Sequence, residues 1–111
     1  MIVSSETRFV NKTLKETFYK LENGDTSEKE LFKFINQAMD NIEKNVFCGV
    51  QIPKRLIPKE YTSKYGTTNL WKYNLPNNWR LIYTIRGGKV LVISIILEWM
   101  DHKDYERRFG Y

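Results

Sequence analysis

The chain of 111 residues carries one cysteine and one histidine, has no internal repeat or low-complexity segment, and contains no apolar run near the ~18 residues that span a bilayer. Each shortage excludes a class. Cys48 alone cannot form an internal disulfide, so this is not a small secreted scaffold stapled by cysteine pairs. With only His102 beside it, the sequence lacks the ligand set of a usual zinc site. Met1 is followed by no basic-then-apolar signal pattern, so the expectation is a cytoplasmic protein with no membrane partner.

What is present describes one folded domain over 1–111. Apolar residues make up 41% and charged residues 28%, close to globular averages, and the aromatic share is 14%. The net charge of +5 is unevenly placed. Residues 1–50 carry seven Lys or Arg against eight Asp or Glu, whereas residues 51–111 carry eleven against five. All the positive excess therefore lies in the second half. A one-sided basic surface suits a polyanion, because phosphate contacts release condensed counterions and steer association. Solubility alone accounts equally well for a modest net charge.

Hydrophobic spacing divides the chain into helices first and strands later. Phe9, Val10, Leu14, Phe18 and Leu21 recur every three or four residues and predict a helix over 6–21. Asn23, Gly24 and Asp25 end it. A second helix is predicted over 26–44, with Thr26 or Ser27 as cap and Ser27 with Glu30 at capping-box spacing. Residues 48–66 hold Pro53, Pro58, Lys54, Arg55, Lys59, Lys64 and two tyrosines without a clear period, and read as a basic loop. Segments 70–75, 79–85 and 89–97, rich in aromatic and β-branched residues and parted by turn residues, predict three consecutive antiparallel strands. The third is the most apolar and reads as the central strand, and Ile2 with Val3 could add an edge. The expected fold is α+β, an N-terminal two-helix hairpin packed on an antiparallel sheet in two layers.

Period-two alternation places Lys72 and Asn74 on one face of their strand, opposite Trp71, Tyr73 and Leu75, and starts the next strand with Arg80 on one face and Leu81 on the other. A tight turn at Pro76 would let Lys72, Asn74 and Arg80 converge. Ordinary edge charges that deter aggregation explain the same residues. Beyond the last strand, His102 and Tyr105 stand three apart among Lys103, Arg107 and Arg108.

The order helix, helix, basic loop, then Leu70-Trp71-Lys72-Tyr73-Asn74-Leu75, Trp79-Arg80-Leu81-Ile82-Tyr83-Thr84-Ile85, and an apolar strand ending in His102-Lys103-Asp104-Tyr105-Glu106-Arg107 resembles the RelE/ParE toxin superfamily, in particular its RelE and HigB branches. The resemblance implies a messenger RNA endonuclease of a toxin–antitoxin pair, acting in the ribosomal A site and restrained by a cognate antitoxin. It implies Lys72, Arg80, His102 and Tyr105 as the catalytic set, and Lys54, Arg55, Asn74, Lys103, Arg107 and Arg108 as RNA-binding residues. Asn74 departs from RelE, which has a second catalytic lysine there, and the basic segment around Lys54 is not a standard family feature.

The implied reaction needs no cofactor and no metal. The 2′-hydroxyl attacks the phosphate, so the protein must take up one proton, stabilise a highly anionic transition state and protonate the leaving 5′-oxygen. An imidazole can exchange protons near neutral pH, a guanidinium and an ammonium can hold the phosphate, and a tyrosine can stack on a base or orient the hydroxyl. The same scaffold also accommodates a non-catalytic protein, either a ParE-like gyrase inhibitor or an RNA-binding relative without cleavage.

Overall fold

Glu6, Thr7, Arg8 and Phe9 alternate exposed and half-buried side chains and form the first strand, β1 (Glu6–Phe9), in the computed structural model, which describes residues 2–88 and 90–110. The helix predicted from residue 6 therefore starts later. Asn11 has extended backbone, and its side chain accepts the Leu14 N–H at 2.9 Å, which fixes the beginning of α1 (Lys12–Leu21). The next helix, α2 (Thr26–Lys44), has the predicted bounds, but its capping box joins Asp25 to Glu28 rather than Ser27 to Glu30.

The segment 48–66 is not a plain loop. It contains a short strand, β2 (Val50–Gln51), a 3-10 turn at Lys54–Leu56 and a two-turn helix, α3 (Lys59–Tyr65). Pro58 precedes that helix and Gly66, at φ +61°, closes it in the left-handed region. There follow β3 (Trp71–Asn74), β4 (Arg80–Gly87), β5 (Val92–Met100) and α4 (His102–Phe109). The last strand is displaced from its predicted 89–97. Lys89 lies outside the described residues, Val90 and Leu91 are exposed before the strand begins, and pairing continues to Met100. Asp101 then accepts the Asp104 N–H and caps α4, an element with no sequence prediction behind it.

The sheet is five-stranded in the order β1-β5-β4-β3-β2. It is mixed rather than antiparallel, because β1 runs parallel to β5 from Glu6 opposite Ile93 to Phe9 opposite Ile96. The outer strand on this side is thus β1 and not Ile2-Val3. The central strand is β4, where Leu81, Ile82, Tyr83 and Thr84 are consecutively buried, so both of its faces are covered.

Those two faces make three layers instead of two. On one side Leu81, Tyr83 and Ile96 pack with Phe18, Ile35, Ala38 and Ile42 of α1 and α2. On the other, Leu70, Ile82, Leu97 and Met100 pack with Tyr61 of α3 and with Tyr105 and Phe109 of α4. A β-bulge adjusts the second face. Ile82 stands opposite Glu98 but Tyr83 opposite Ile96, so Leu97 is the extra residue and both Leu97 and Glu98 face α3 and α4.

Candidate nucleic-acid interface

Strand pairing carries Lys72 and Arg80 to the α3/α4 face. Asn74 stands directly opposite Arg80, and Lys72 opposite Ile82, so Lys72, Asn74 and Arg80 share one side while Trp71, Tyr73 and Leu75 belong to the other core. Helix α4 then lays Tyr105 beneath the two cations. Lys72 Nζ lies 5.0 Å, and the Arg80 guanidinium carbon 5.6 Å, from the centroid of that ring.

Tyr105 is 2% exposed and stacked on Phe109 at 4.6 Å between centroids. A splayed base cannot stack on it in this arrangement. Its ring is instead a floor that holds the ammonium and guanidinium on one apolar surface. Arg80 spends Nη1 on the Trp79 carbonyl at 3.2 Å, its Nε is buried without a hydrogen-bond partner among the described residues, and no carboxylate among those residues pairs with it. A guanidinium with donors left over is suited to an incoming anion.

His102 opens α4, two residues beyond Met100, which pairs with Arg80 across β4 and β5. It is exposed, and its Nε2 meets Glu106 Oε1 at 2.5 Å, one helical turn on. That contact engages Nε2 and leaves Nδ1 outside it.

The other sequence-selected cations separate into two groups. Lys54, Arg55 and Lys103 are exposed, the first two in the 3-10 turn that precedes α3. Arg107 pairs with Asp104 at 3.3 Å on the surface of α4. Arg108 is committed to the fold: its Nη1 reaches both oxygens of Glu98, at 2.7 and 2.8 Å, and Tyr61 donates its hydroxyl to the same carboxylate. The network pins α3, β5 and α4 to one another. Burial, with the acceptor Glu98 adding to it, pushes the Tyr61 phenol far above the ordinary tyrosine range, while the partnership with Tyr61 and Glu98 raises Arg108 further still.

Sequence reasoning passes over two supports of this face. Glu98 and Tyr61 sit in unremarkable contexts, and only the bulge at Leu97 turns Glu98 toward Arg108. Gly49 is the other. A side chain there would come within 2.6 Å of the Lys72 carbonyl and 2.7 Å of the Tyr83 hydroxyl, which accepts the Gly49 N–H at 3.1 Å and donates to the Val46 carbonyl at 2.8 Å. Only a glycine lets this segment approach β3 at Lys72 so closely.

The uneven charge of the sequence becomes a spatial division. The near-neutral first half supplies α1 and α2 on one side of the sheet, and the basic second half supplies the 3-10 turn, α3 and α4 on the other. A groove of about 1230 Å³ lies among β1, α1 and α2 and includes none of the candidate residues. Comparison of the chain with protein-family models, with curated proteins and with solved structures returns no match.

Proposed function

We propose that the protein is an endoribonuclease that cleaves messenger RNA, acting as the toxin of a toxin–antitoxin pair. The observation that carries this reading is the placement of Lys72 and Arg80 over the single ring of Tyr105, on the basic side of the sheet and against the helix that begins with His102. Two cations on a shared apolar floor stabilise a dianionic transition state better than the same charges in bulk water, since the surroundings screen less and the donors are already oriented. In this proposal Arg80 clamps the scissile phosphate, Lys72 neutralises it, and His102 transfers a proton through Nδ1 while Glu106 holds Nε2. The 2′-oxygen attacks phosphorus as its proton passes to Nδ1, the bond from phosphorus to the 5′-oxygen breaks as that oxygen takes a proton from water, and a 2′,3′-cyclic phosphate remains. Tyr105 acts through the cations it supports.

One observation favours a second reading, RNA binding without cleavage. The imidazole is exposed and in contact with Glu106, and the tyrosine is buried, so the cation pair is the part of the set best placed to meet RNA directly.

Single-turnover cleavage of a message, free and on programmed ribosomes, with EDTA present, separates the two. Cleavage by the parent protein and a loss of ~10²–10⁴ in rate for His102→Ala, with the fold retained, supports the endonuclease. Salt-dependent RNA binding with no cleavage in either setting replaces it with the binding reading, and EDTA-sensitive cleavage overturns the mechanism.

A further inference from the structure

A row of rings runs through α4 and α3. Tyr105 and Phe109 stand one turn apart on α4, Tyr61 and Tyr65 one turn apart on α3, and successive centroids along Tyr105, Phe109, Tyr61 and Tyr65 are 4.6, 5.5 and 6.0 Å apart. Each end of the row carries two cations. Lys72 and Arg80 lie over Tyr105 at one end; at the other, Lys64 Nζ lies 5.3 Å from the Tyr65 centroid and Arg86 donates from Nη2 to the Tyr65 carbonyl at 2.9 Å. Both arginines come from β4. Period two puts Arg80, Ile82, Thr84 and Arg86 on one side of that strand, so the two cation pairs mark its ends, ~20 Å apart at ~3.3 Å per residue.

The second end is the more accessible. Tyr105 is buried, whereas Tyr65 is half-buried and its Lys64 and Arg86 neighbours are exposed, so a ligand can reach ring and cations together. Neither cation meets a carboxylate among the described residues. The bond to the Tyr65 carbonyl fixes Arg86 beside α3 and engages one of its five donors. Of the acids on the two helices, Glu60 pairs with Arg108, Glu106 meets His102 and Asp104 pairs with Arg107, so a strand crossing them meets no unpaired carboxylate there.

We infer that Lys64, Tyr65 and Arg86 form a second nucleotide subsite, which holds a distant nucleotide of the same RNA strand whose phosphate lies at Lys72 and Arg80. This rests on the proposed function for the first phosphate and adds the second contact. A nucleotide joins an anion to a flat aromatic base, and a tyrosine ring flanked by an ammonium and a guanidinium complements both parts, the cations taking the phosphate and the ring taking the base. An acidic peptide would use the cations alone. A stacked strand advances ~3.4 Å per nucleotide, so ~6 nucleotides cover the ~20 Å between the sites, and fewer when the strand is extended. RNA long enough to reach both is held at two points, and its affinity exceeds that of a short RNA held at one.

Length dependence tests the second contact. Single-stranded RNAs of ~3 and ~12 nucleotides, the longer able to span both sites with room to spare, are titrated against the parent protein and its variants. The gain in affinity from the short to the long RNA should be at least ~10-fold smaller in Lys64→Ala/Arg86→Ala than in the parent. For the long RNA the same double variant should flatten the salt slope by ~0.7, one lost phosphate contact. Tyr65→Leu, which keeps apolar bulk against Tyr61, should weaken the long RNA ~5- to ~150-fold, the usual worth of one base stacked on an aromatic ring. Circular dichroism checks that each variant folds, and Lys64→Glu, at an exposed position, replaces the double variant if loss of the Arg86 bond unfolds it. A double variant with the parent's full gain overturns the subsite, and a loss from Arg80→Ala in the same assay then shows that the first phosphate site stands without it. If Arg80→Ala binds the long RNA as the parent does, the first site fails and the shared strand with it. Poly-glutamate bound as tightly as RNA, and weakened equally by these variants, would replace the nucleotide with an acidic protein segment.

Discussion

Lys72 is carried by β3 and Tyr105 by the C-terminal helix, yet the ammonium of the first lies 5.0 Å from the ring centroid of the second. This contact joins β3 to α4, Arg80 of β4 lies over the same ring, and in the proposed function the two cations are the site for an RNA phosphate.

Arg80→Ala and Lys72→Ala should each weaken binding of single-stranded RNA and flatten its salt dependence by ~0.7 in the slope of log K against log salt for each lost phosphate contact. Lys12→Ala and Lys15→Ala, on the α1 groove across the sheet, should leave the slope unchanged. Filter binding at four salt concentrations measures both. Equal losses from the α1 variants would place the RNA on the wrong face.

Alkaline pH should destabilise the protein through Tyr61 and Tyr83. Burial raises both phenols in the folded state, with Glu98 adding to the effect at Tyr61. Their contribution is therefore complete below the unfolded tyrosine value of ~10 and falls as pH rises above it, because the unfolded chain then releases protons that the folded chain retains. Urea midpoints between pH 8 and 11, ranges set by that value, should decline above 10, and Tyr61→Phe should reduce the decline.

Gly49→Ala should cost ~1–3 kcal/mol, since its methyl group would collide with backbone at Lys72 and with the Tyr83 hydroxyl. RNA affinity should fall as well, through displacement of Lys72. A urea denaturation curve and a binding isotherm on the same sample test the two effects. An alanine variant as stable as the parent would show that this approach is not tight.

Ile96→Asp should prevent folding, because Ile96 is fully buried between the sheet and the helix hairpin. Ile93→Asp, a few residues earlier on the same strand, should yield a folded protein losing ~1–2 kcal/mol, since Ile93 is only half-buried opposite Glu6. Soluble expression and circular dichroism distinguish the two outcomes.

The contrast between these isoleucines marks how far the sequence could be read. The period of α2 and the alternation of β3 are local properties, and the second helix and the shared face of Lys72, Asn74 and Arg80 follow from them directly. A continuous apolar run does not reveal which residues a turn exposes, so Val90 and Leu91 read as strand interior. Glu6 to Phe9 is four residues long, too short for alternation to outweigh the helical spacing of Phe9, Val10 and Leu14. Helices α3 and α4 had usable signals in Pro58, Gly66, Asp101 and Gly110, masked by the density of charge around them. The carboxylate at Glu98 was beyond reach, because its orientation depends on a one-residue slip between β4 and β5.

The parallel pairing of β1 with β5 has a consequence for biosynthesis. Glu6 meets Ile93, so nearly the entire chain lies between two neighbouring strands, and the contact must await a late closure of high entropic cost. Chains emerge from the ribosome amino end first. The strand made first is held without its partner until Val92–Met100 has been synthesised, and Tyr105 and His102 follow later still. A nascent chain thus exposes residues 1–50, near neutral in charge, well before the cationic platform exists, and whatever that platform binds can be engaged only after Tyr105 has been added.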